Sequence, residues 1–245
     1  MLSRSRSHSG RISLAVAPFI LLLTTNVSAD VTGTVKFEGD VPTMKPLQMS
    51  ADPVCDGKHK DAPALDEKLV LGPGNTMGNI FVQIKDGPIT KATTAPTEPV
   101  IVRQHGCVYS PRVVGVMKGQ PIKFMNEDGT LHNVHALPKV NRPFNLAMPA
   151  TVTESSKTFE QPEAIFEIKC DVHPWMQGFA AVMDHPYFAI TGTDGKFSIK
   201  GLAPGTYTVE AWHEKLGTKT ATVTIPAGGA SQTVDFTFTR PSKAG

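Results

Sequence analysis

The sequence predicts an all-β protein in which a Greek-key β-sandwich is followed by a second, smaller β-sandwich. Three observations lead to this fold class. Apolar and polar residues alternate in many short segments, long runs of helical periodicity are missing, and 21 glycines and 20 prolines punctuate the 245 residues. Short alternating segments separated by turn residues are typical of sandwiches and barrels.

The first 29 residues have the composition of a secretory signal peptide. An apolar run at 12–23 precedes Val27-Ser28-Ala29, a cleavage site of small residues, and follows a positive region with the three arginines Arg4, Arg6 and Arg11. The run is short for a membrane span; an uncleaved N-terminal anchor is the alternative. We therefore expect export with removal of residues 1–29, which leaves a periplasmic mature chain without a membrane span.

The net charge argues against a nucleic-acid partner. The whole chain has 24 basic and 22 acidic residues, but three of the basic residues lie in the expected leader, so the mature chain carries a net charge of −1 with histidine neutral. Nucleic-acid binding needs a basic stripe or patch, and we find none in this sequence. The mature length of about 215 residues suits one large domain or two small ones.

The first part of the mature chain is expected to hold two strands separated by an irregular excursion. Alternation predicts strands at 31–39 and 79–85, and the second of these ends at Asp86-Gly87-Pro88. Between them, residues 41–75 are rich in Pro, Asp, Lys and Gly and show little periodicity, so we expect no regular structure there. Residues 89–99 are rich in Thr and Pro and are expected to be exposed.

The central part of the chain has the densest alternation. It predicts five strands whose mostly short connections suit Greek-key packing, together with one longer loop at 136–155. The predicted strands are 112–117, 121–126, 156–160, 164–170 and 180–183.

A separate C-terminal unit is expected to begin near His185-Pro186. Thr193-Asp194-Gly195 is a hairpin signal, and the flanking residues alternate almost throughout. The predicted strands of this unit are 188–191, 197–212, 219–225 and 232–239.

The chain contains three cysteines, an odd number for an oxidising compartment. Cys55 and Cys107 lie in polar, loop-like contexts and could form a disulfide, which leaves Cys170 alone. A free thiol in such a compartment is prone to oxidation unless it binds a metal. The alternatives are that Cys55 or Cys107 is free, or that Cys170 is a buried inert thiol.

One short segment contains three soft or borderline metal donors. In Cys170-Asp-Val-His173-Pro-Trp-Met176, a thiolate, an imidazole and a thioether lie at positions i, i+3 and i+6, at the end of a predicted strand. Such donors favour copper over hard cations, and one Cys, two His and a weak axial Met form a type 1 copper centre. His132, about 40 residues upstream, could supply the second imidazole, with His135 as its competitor.

Zinc is the main competing metal, because it also binds Cys and His. Zinc sites rarely use Met, however, and a c-type haem would need Cys-x-x-Cys-His, which the sequence lacks. The alternative role for Met176 is to fill the core. We expect Asn126 to support the site through a hydrogen bond to backbone near Cys170, since such outer contacts orient metal ligands.

Residues 100–184 resemble the cupredoxins, in particular the amicyanin and plastocyanin branch. Three stretches carry the resemblance, namely the strand Lys118-Gly-Gln-Pro-Ile-Lys-Phe-Met-Asn126, the segment Leu131-His-Asn-Val-His135, and the ligand loop Cys170-Asp-Val-His-Pro-Trp-Met176. The resemblance implies that the copper ligands are His132, Cys170, His173 and Met176, with Asn126 in a supporting role. Leu131 departs from the family, which usually has Pro at this position.

The tail resembles the carboxypeptidase regulatory-like (transthyretin-like) domains, which are small β-sandwiches without catalysis. Residues 193–207, Thr-Asp-Gly-Lys-Phe-Ser-Ile-Lys-Gly-Leu-Ala-Pro-Gly-Thr-Tyr, carry this resemblance. Together the two resemblances imply a signal peptide at 1–29, a cupredoxin domain at 30–185 with an N-terminal elaboration and a core at about 79–185, and a C-terminal sandwich at 186–241. This layout is similar to that of bacterial periplasmic proteins described as methylamine-utilisation or plastocyanin-like.

The sequence thus predicts a protein that carries single electrons and is not an enzyme. It would bind one type 1 copper and exchange electrons with redox partner proteins. Two alternatives are a copper carrier or buffer without a role as electron shuttle, and a non-redox surface-binding protein built from the two sandwiches. Trp175, beside a candidate ligand, either shapes a docking surface or packs between the domains.

Overall fold

The computed structural model describes residues 28–240, and the all-β prediction is confirmed. Strands dominate, and the regular helices described are one short α-helix, α1 at Pro53–Lys58, and one 3₁₀ turn at Pro73–Asn75. Both lie within residues 41–75, where no regular structure was expected; α1 forms there because Asp52 caps its first N–H groups. Most of the expected signal peptide, residues 1–27, lies outside the described part. Between residues 28 and 240, none of the helices has the length and apolar character needed to cross a bilayer.

Two sheets of an inserted unit, residues 100–183, contain the candidate metal ligands. The five-stranded sheet has the order β5-β11-β10-β7-β8, and the four-stranded sheet has the order β4-β3-β6-β9. Their strands are β3 Val100–His105, β4 Val108–Ser110, β5 Val113–Met117, β6 Ile122–Asn126, β7 His132–Ala136, β8 Phe144–Met148, β9 Glu154–Lys157, β10 Glu163–Lys169 and β11 Gln177–Met183.

The other two sheets form a flanking unit that is built from both ends of the chain. One sheet has the order β13-β1-β16, with β17 also paired to β1, and the other has the order β12-β2-β14-β15. Their strands are β1 Ala29–Glu38, β2 Phe81–Asp86, β12 Phe188–Ile190, β13 Lys196–Leu202, β14 Gly205–His213, β15 Gly217–Ile225, β16 Gln232–Thr233 and β17 Phe236–Thr239.

This strand pairing differs from the expected domain boundaries, in which residues 30–185 precede a separate sandwich at 186–241. β1 pairs with β13 and β17, and β2 pairs with β12 and β14, so both early strands complete the C-terminal sandwich. Their buried apolar side chains, such as Val35 and Ile84, belong to the same core as Tyr207 and Phe238. The unit with the candidate ligands is therefore an insertion between β2 and β12.

The expected loop at 136–155 contains a strand. β8 pairs antiparallel with β7 along five residues, from His132↔Met148 to Ala136↔Phe144. Phe144, Leu146 and Met148 alternate with the exposed Asn145 and Ala147, so the period-2 pattern of a half-buried strand is present in the sequence. The pattern is short, and it follows two prolines, which are typical of loops.

A small apolar cluster and one buried ion pair join the two units. Phe81 and Phe188 of the flanking unit stack at 5.7 Å between ring centroids and pack on Val113 and Met117 of the inserted unit. Trp212 of β14 also lies at this junction, with its ring 5.2 Å from that of Phe179. The aromatic contacts fix how the two sandwiches meet.

The buried ion pair links the flanking unit to the strand that follows Met176. The Arg112 guanidinium donates from Nε to Glu214 Oε1 at 2.6 Å and from Nη1 to the carbonyl oxygen of Gln177 at 3.0 Å. Both side chains of the pair are almost fully buried. Gln177 is the first residue of β11, so Arg112 ties the turn after β14 to the end of the loop that carries the candidate ligands.

The buried carboxylate of Glu163 is expected to stabilise the inserted unit. It accepts hydrogen bonds from the backbone N–H of Lys139, Val140 and Asn141. Burial acts to raise the pKa of Glu163, but these hydrogen bonds outweigh it and hold the pKa below the ordinary value of 4.5. We expect Glu163→Gln to lower the free energy of unfolding at pH 7 by about 1–3 kcal/mol, because an amide N–H₂ would face buried donors.

The contribution of the Glu163 carboxylate to the free energy of unfolding should decrease as the pH falls. A carboxyl group whose pKa is lowered on folding stabilises the protein above its unfolded pKa, and this contribution is lost as the pH falls through the folded pKa. The difference between Glu163→Gln and the original protein should therefore shrink below pH 4.5 in chemical denaturation. Glu154→Gln, an exposed change on β9, is the control and should cost about 0.5 kcal/mol or less; equal effects of the two changes would contradict the prediction.

Candidate metal centre

The pairing of β7 with β10 brings His132 and Cys170 to the same end of the inserted sandwich. The two strands run antiparallel, with Lys169 opposite His135 and Ile168 opposite Ala136. His132 is the first residue of β7, and Cys170 directly follows the last residue of β10. About 40 residues of sequence therefore separate two side chains that the sheet places side by side.

His173 and Met176 reach the same place through a tight loop between β10 and β11. The backbone N–H of Met176 donates to the carbonyl oxygen of His173 at 2.9 Å, and the N–H of Cys170 donates to the carbonyl oxygen of Met176 at 3.1 Å. These two hydrogen bonds close the loop on itself, which returns Met176 beside Cys170. Such closure explains why donors at i, i+3 and i+6 can act together.

Three donor atoms converge in the interior. His132 Nδ1 lies 2.9 Å from His173 Nδ1, and His173 Nδ1 lies 3.8 Å from Cys170 Sγ. The exposed fractions are 0% for His132 and 2% for both Cys170 and His173. Metal–nitrogen distances of about 2.0–2.1 Å and metal–sulfur distances of about 2.3 Å allow one ion to contact all three atoms, so the donor set fits a metal.

Met176 belongs to the same core. Its side chain is 1% exposed and belongs to the buried apolar cluster of the inserted unit, which also contains Val134, Ile168 and Ala180. One methionine, two histidines and one cysteine supply the donor types of a blue-copper site. His135, the competitor of His132, takes no part, because its Nδ1 lies 2.9 Å from Asp171 Oδ2 at the surface.

Carboxylates hold the outer nitrogens of both histidines. Asp128 Oδ2 lies 3.0 Å from His132 Nε2, and Asp52 Oδ2 lies 2.9 Å from His173 Nε2. Hydrogen bonds of this kind fix the tautomer, so that Nδ1 is the free nitrogen, and orient the ring toward a metal.

The sequence interpretation missed both carboxylates. Asp128 lies four residues before His132, and Asp52 precedes Pro53 at the start of α1, where an Asp is a typical N-cap. These local signals indicate turn and capping roles. The contact with His173 depends on the fold, because 121 residues separate it from Asp52.

The site favours a thiolate on Cys170. Burial acts to raise its pKa, but hydrogen bonds from His132 and from the backbone N–H of Asn133 outweigh burial and hold the pKa below the ordinary 9.0. For His132, burial acts to lower the pKa, while the hydrogen bond to Asp128 and the nearby Cys170 raise it above the ordinary 6.5. The deprotonated sulfur is the form that binds metals.

Both carboxylates are held in their charged form. Burial acts to raise the pKa of Asp128, but its hydrogen bonds with His132 and with the backbone N–H of Cys107 lower it to below the ordinary 3.8. The pKa of Asp52 is also lowered, since hydrogen bonds from His173 and the N-terminus of α1 outweigh the effect of burial. The two histidines therefore face negative charge on the side away from the converging donors.

Asn126 supports His132 rather than Cys170. Its amide donates to the carbonyl oxygens of Thr130 at 2.9 Å and Met148 at 2.8 Å, and its Oδ1 accepts from the N–H of Asp128 at 3.1 Å. The sequence interpretation expected a bond to backbone near Cys170. The difference arises because Asn126 ends β6 and its side chain fills the turn that leads directly to His132.

A disulfide joins Cys55 of α1 to Cys107, with a sequence separation of 52 residues. It lies against the candidate metal centre, where Cys55 Sγ is 3.8 Å from His173 Nε2. Trp175 packs here too, since its indole donates to the carbonyl oxygen of Cys107 at 3.0 Å and its ring centroid lies 4.9 Å from that of His173. Trp175 therefore packs at the candidate metal centre and away from the junction of the two units.

A family model of the carboxypeptidase regulatory-like domain matches residues 180–239. The match covers the end of β11 and the strands β12 to β17, and it confirms the resemblance expected for the tail. β1 and β2, which complete this sandwich in the structure, lie outside the matched residues. No curated protein matches the chain.

Solved structures similar to this chain include a mutant of amicyanin, a purple cupredoxin and a nitrite reductase. The Cu(I) form of the M51A mutant of amicyanin is 21% identical over 42% of this chain and 98% of its own, with a TM-score of 0.32. A purple cupredoxin from Nitrosopumilus maritimus is 20% identical over 34% of this chain and 99% of its own, with a TM-score of 0.29.

The third is the Cu-containing nitrite reductase from Thermus scotoductus SA-01, which is 23% identical over 40% of this chain, with a TM-score of 0.31. This chain spans only 25% of the length of that reductase.

Proposed function

We propose that this chain is an exported type 1 copper protein that carries single electrons between redox partner proteins and has no enzymatic activity of its own. The observation that carries the proposal is the convergence of His132 Nδ1, His173 Nδ1 and Cys170 Sγ in a buried site whose outer nitrogens are both held by carboxylates. When bound, copper would supply one-electron exchange between its cupric and cuprous forms.

Each residue has a defined part in this proposal. Cys170 would hold the copper through its thiolate, His132 and His173 through their imidazole nitrogens, and Met176 through its thioether. Asp128 and Asp52 orient the two rings. Because these contacts are already made in the structure described here, the ligands need little movement on binding or on a change of charge.

The fixed site favours electron transfer over copper delivery. A delivery protein has to release its metal, which is easier from an exposed or mobile set of ligands. Here His132, Cys170, His173 and Met176 are at most 2% exposed, and two carboxylates and a closed loop hold them in place. Burial also supports a site that exchanges electrons without exchanging the ion.

Export is supported by two features. The first 29 residues have the pattern of a signal peptide, and Cys55 and Cys107 form a disulfide, which persists in oxidising compartments such as the periplasm. We therefore place the function in the periplasm.

Copper titration under anaerobic conditions tests the proposal. We expect one copper per chain, an intense thiolate-to-copper band in the visible spectrum, and a type 1 signal in electron paramagnetic resonance. A colourless cupric form would contradict it. Copper that passes within seconds to a soluble chelator would instead support the delivery function, and zinc bound in preference to copper would point to a structural site.

A further inference from the structure

We propose that residues 46–65 form a lid over the metal centre, and that Asp52 on this lid is a positioning residue that holds the His173 ring and lowers the reduction potential of the bound copper. The inference rests on the proposed function. It adds to the four ligands a role for residues that do not themselves bind the metal. It assigns a role to the irregular excursion, which belongs to neither set of sheets.

The lid is a closed segment. A β-bridge joins Pro46 to Leu65, and the backbone N–H of Leu47 donates to the carbonyl oxygen of Ala64 at 2.8 Å, so the two ends lie together. Between them, Met49 and Cys55 are buried in the core of the inserted unit. The lid therefore packs on the unit as a formed piece of structure.

Several contacts attach the lid to the turns that surround the two histidines. Besides the disulfide to Cys107, Lys58 Nζ lies 3.2 Å from Asp128 Oδ1, and His59 Nε2 lies 2.7 Å from the carbonyl oxygen of Gly106. Thr130 Oγ1 donates to Asp52 Oδ2 at 3.2 Å. All of these partners lie in the two turns next to His132, so the lid and the ligand turns hold one another.

Asp52 has two separate tasks that use different oxygens. Its Oδ1 caps α1 by accepting from the N–H of Val54 at 2.8 Å and of Cys55 at 3.2 Å. Its Oδ2 accepts from His173 Nε2 at 2.9 Å. The cap fixes the carboxylate, and the fixed carboxylate fixes the ring of His173.

The charge of Asp52 has a predictable effect on copper. A carboxylate bonded to the outer nitrogen makes the imidazole a stronger donor, and a nearby negative charge favours the more positive oxidation state. Asp52 should therefore stabilise the cupric form over the cuprous form. Because His173 is 2% exposed under the lid, water screens this interaction only weakly.

Three variants separate the two tasks. Asp52→Asn removes the negative charge. Its amide oxygen can still cap α1, and its amide nitrogen still places a polar group next to His173. Asp52→Ser keeps a good N-cap but is too short to reach His173. Asp56→Asn is the matched control, since it removes a charge from an exposed side chain of the same helix.

The experiment is spectroelectrochemical titration of the copper-loaded full chain, with paramagnetic resonance of the cupric form. We expect Asp52→Asn to reduce the preference for cupric over cuprous copper about tenfold, which is a rise of about 59 mV for one electron. Asp52→Ser should raise the potential at least as much, alter the resonance spectrum, and speed removal of copper by a cuprous chelator. Asp56→Asn should change the preference by less than twofold.

The outcomes separate this inference from the proposed function. If the unaltered protein shows no intense visible band, the proposed function is wrong. If it shows the band but Asp52→Asn and Asp56→Asn have the same potential, the copper function stands and the role of Asp52 is overturned. Should Asp52→Ser fail to fold, as judged by circular dichroism, the comparison of the two Asn variants decides alone.

Discussion

Replacing Cys170 with Ser should remove the intense visible band of the copper-loaded protein and weaken copper binding by about 10²-fold or more. The expected loss exceeds the 10–100-fold typical of residues that only support a ligand, because the change removes the thiolate itself. A serine hydroxyl stays protonated near neutral pH and is a harder donor, which copper binds less well. Absorption spectra and competition against a copper chelator measure the two effects.

The control for this change is Ile168→Val, a buried conservative substitution two residues earlier on β10. It should cost about 0.5–1.5 kcal/mol of stability and leave the band intact, which separates loss of a ligand from loss of packing. A Cys170→Ser protein that keeps the band, or binds copper within threefold of the original, would show that the metal lies elsewhere.

Removal of the disulfide by the double change Cys55→Ala and Cys107→Ala should lower the free energy of unfolding by about 4 kcal/mol. The disulfide closes a loop with a sequence separation of 52 residues, and the chain-entropy relation gives a value of this size for such a loop. Chemical denaturation with and without a thiol reductant is the measurement. The original protein should weaken in the reductant, whereas the double variant should not respond.

The same variant reports on the lid. Since the disulfide is one of several attachments of residues 46–65, its loss should also speed removal of copper by a chelator in protein that is still folded. In denaturation of the metal-free protein, Cys170→Ser serves as the control for the free thiol, because it removes that cysteine without touching the disulfide. A double variant with an unchanged denaturation midpoint would contradict the stability prediction.

The local sequence pattern is sufficient to predict most of the strands and to identify the candidate metal-donor residues. Alternation on β6 and β10 follows directly from one buried and one exposed face, and the spacing of Cys170, His173 and Met176 is short enough for one loop to bring them together. The place of His132 in the site is harder to predict from local pattern, because its distance from Cys170 depends on the register of β7 against β10.

The local sequence pattern cannot predict which strands pair or which carboxylates contact the histidines. β1 alternates in a way that suits either sandwich, so its pairing with β13 and β17 is decided by which apolar surfaces fit, a non-local property of the whole chain. Asp52 and Asp128 have ordinary turn and cap signals. The contact of Asp52 with His173 exists only after folding has brought together segments that are 121 residues apart, and the four-residue spacing of Asp128 and His132 does not by itself distinguish a turn residue from one that holds the ring.

The insertion of one sandwich into the other links their stabilities. β2 and β12 are neighbours, with Phe81 opposite Ile190, yet roughly 100 residues lie between them, and closing a flexible loop of that length costs about 4 kcal/mol of entropy. A folded inserted unit holds its own two ends in place and removes much of that cost. If an ion binds the candidate site and stabilises the inserted unit, it should also promote closure of the flanking sandwich, and we then expect assembly of that sandwich to respond to metal supply.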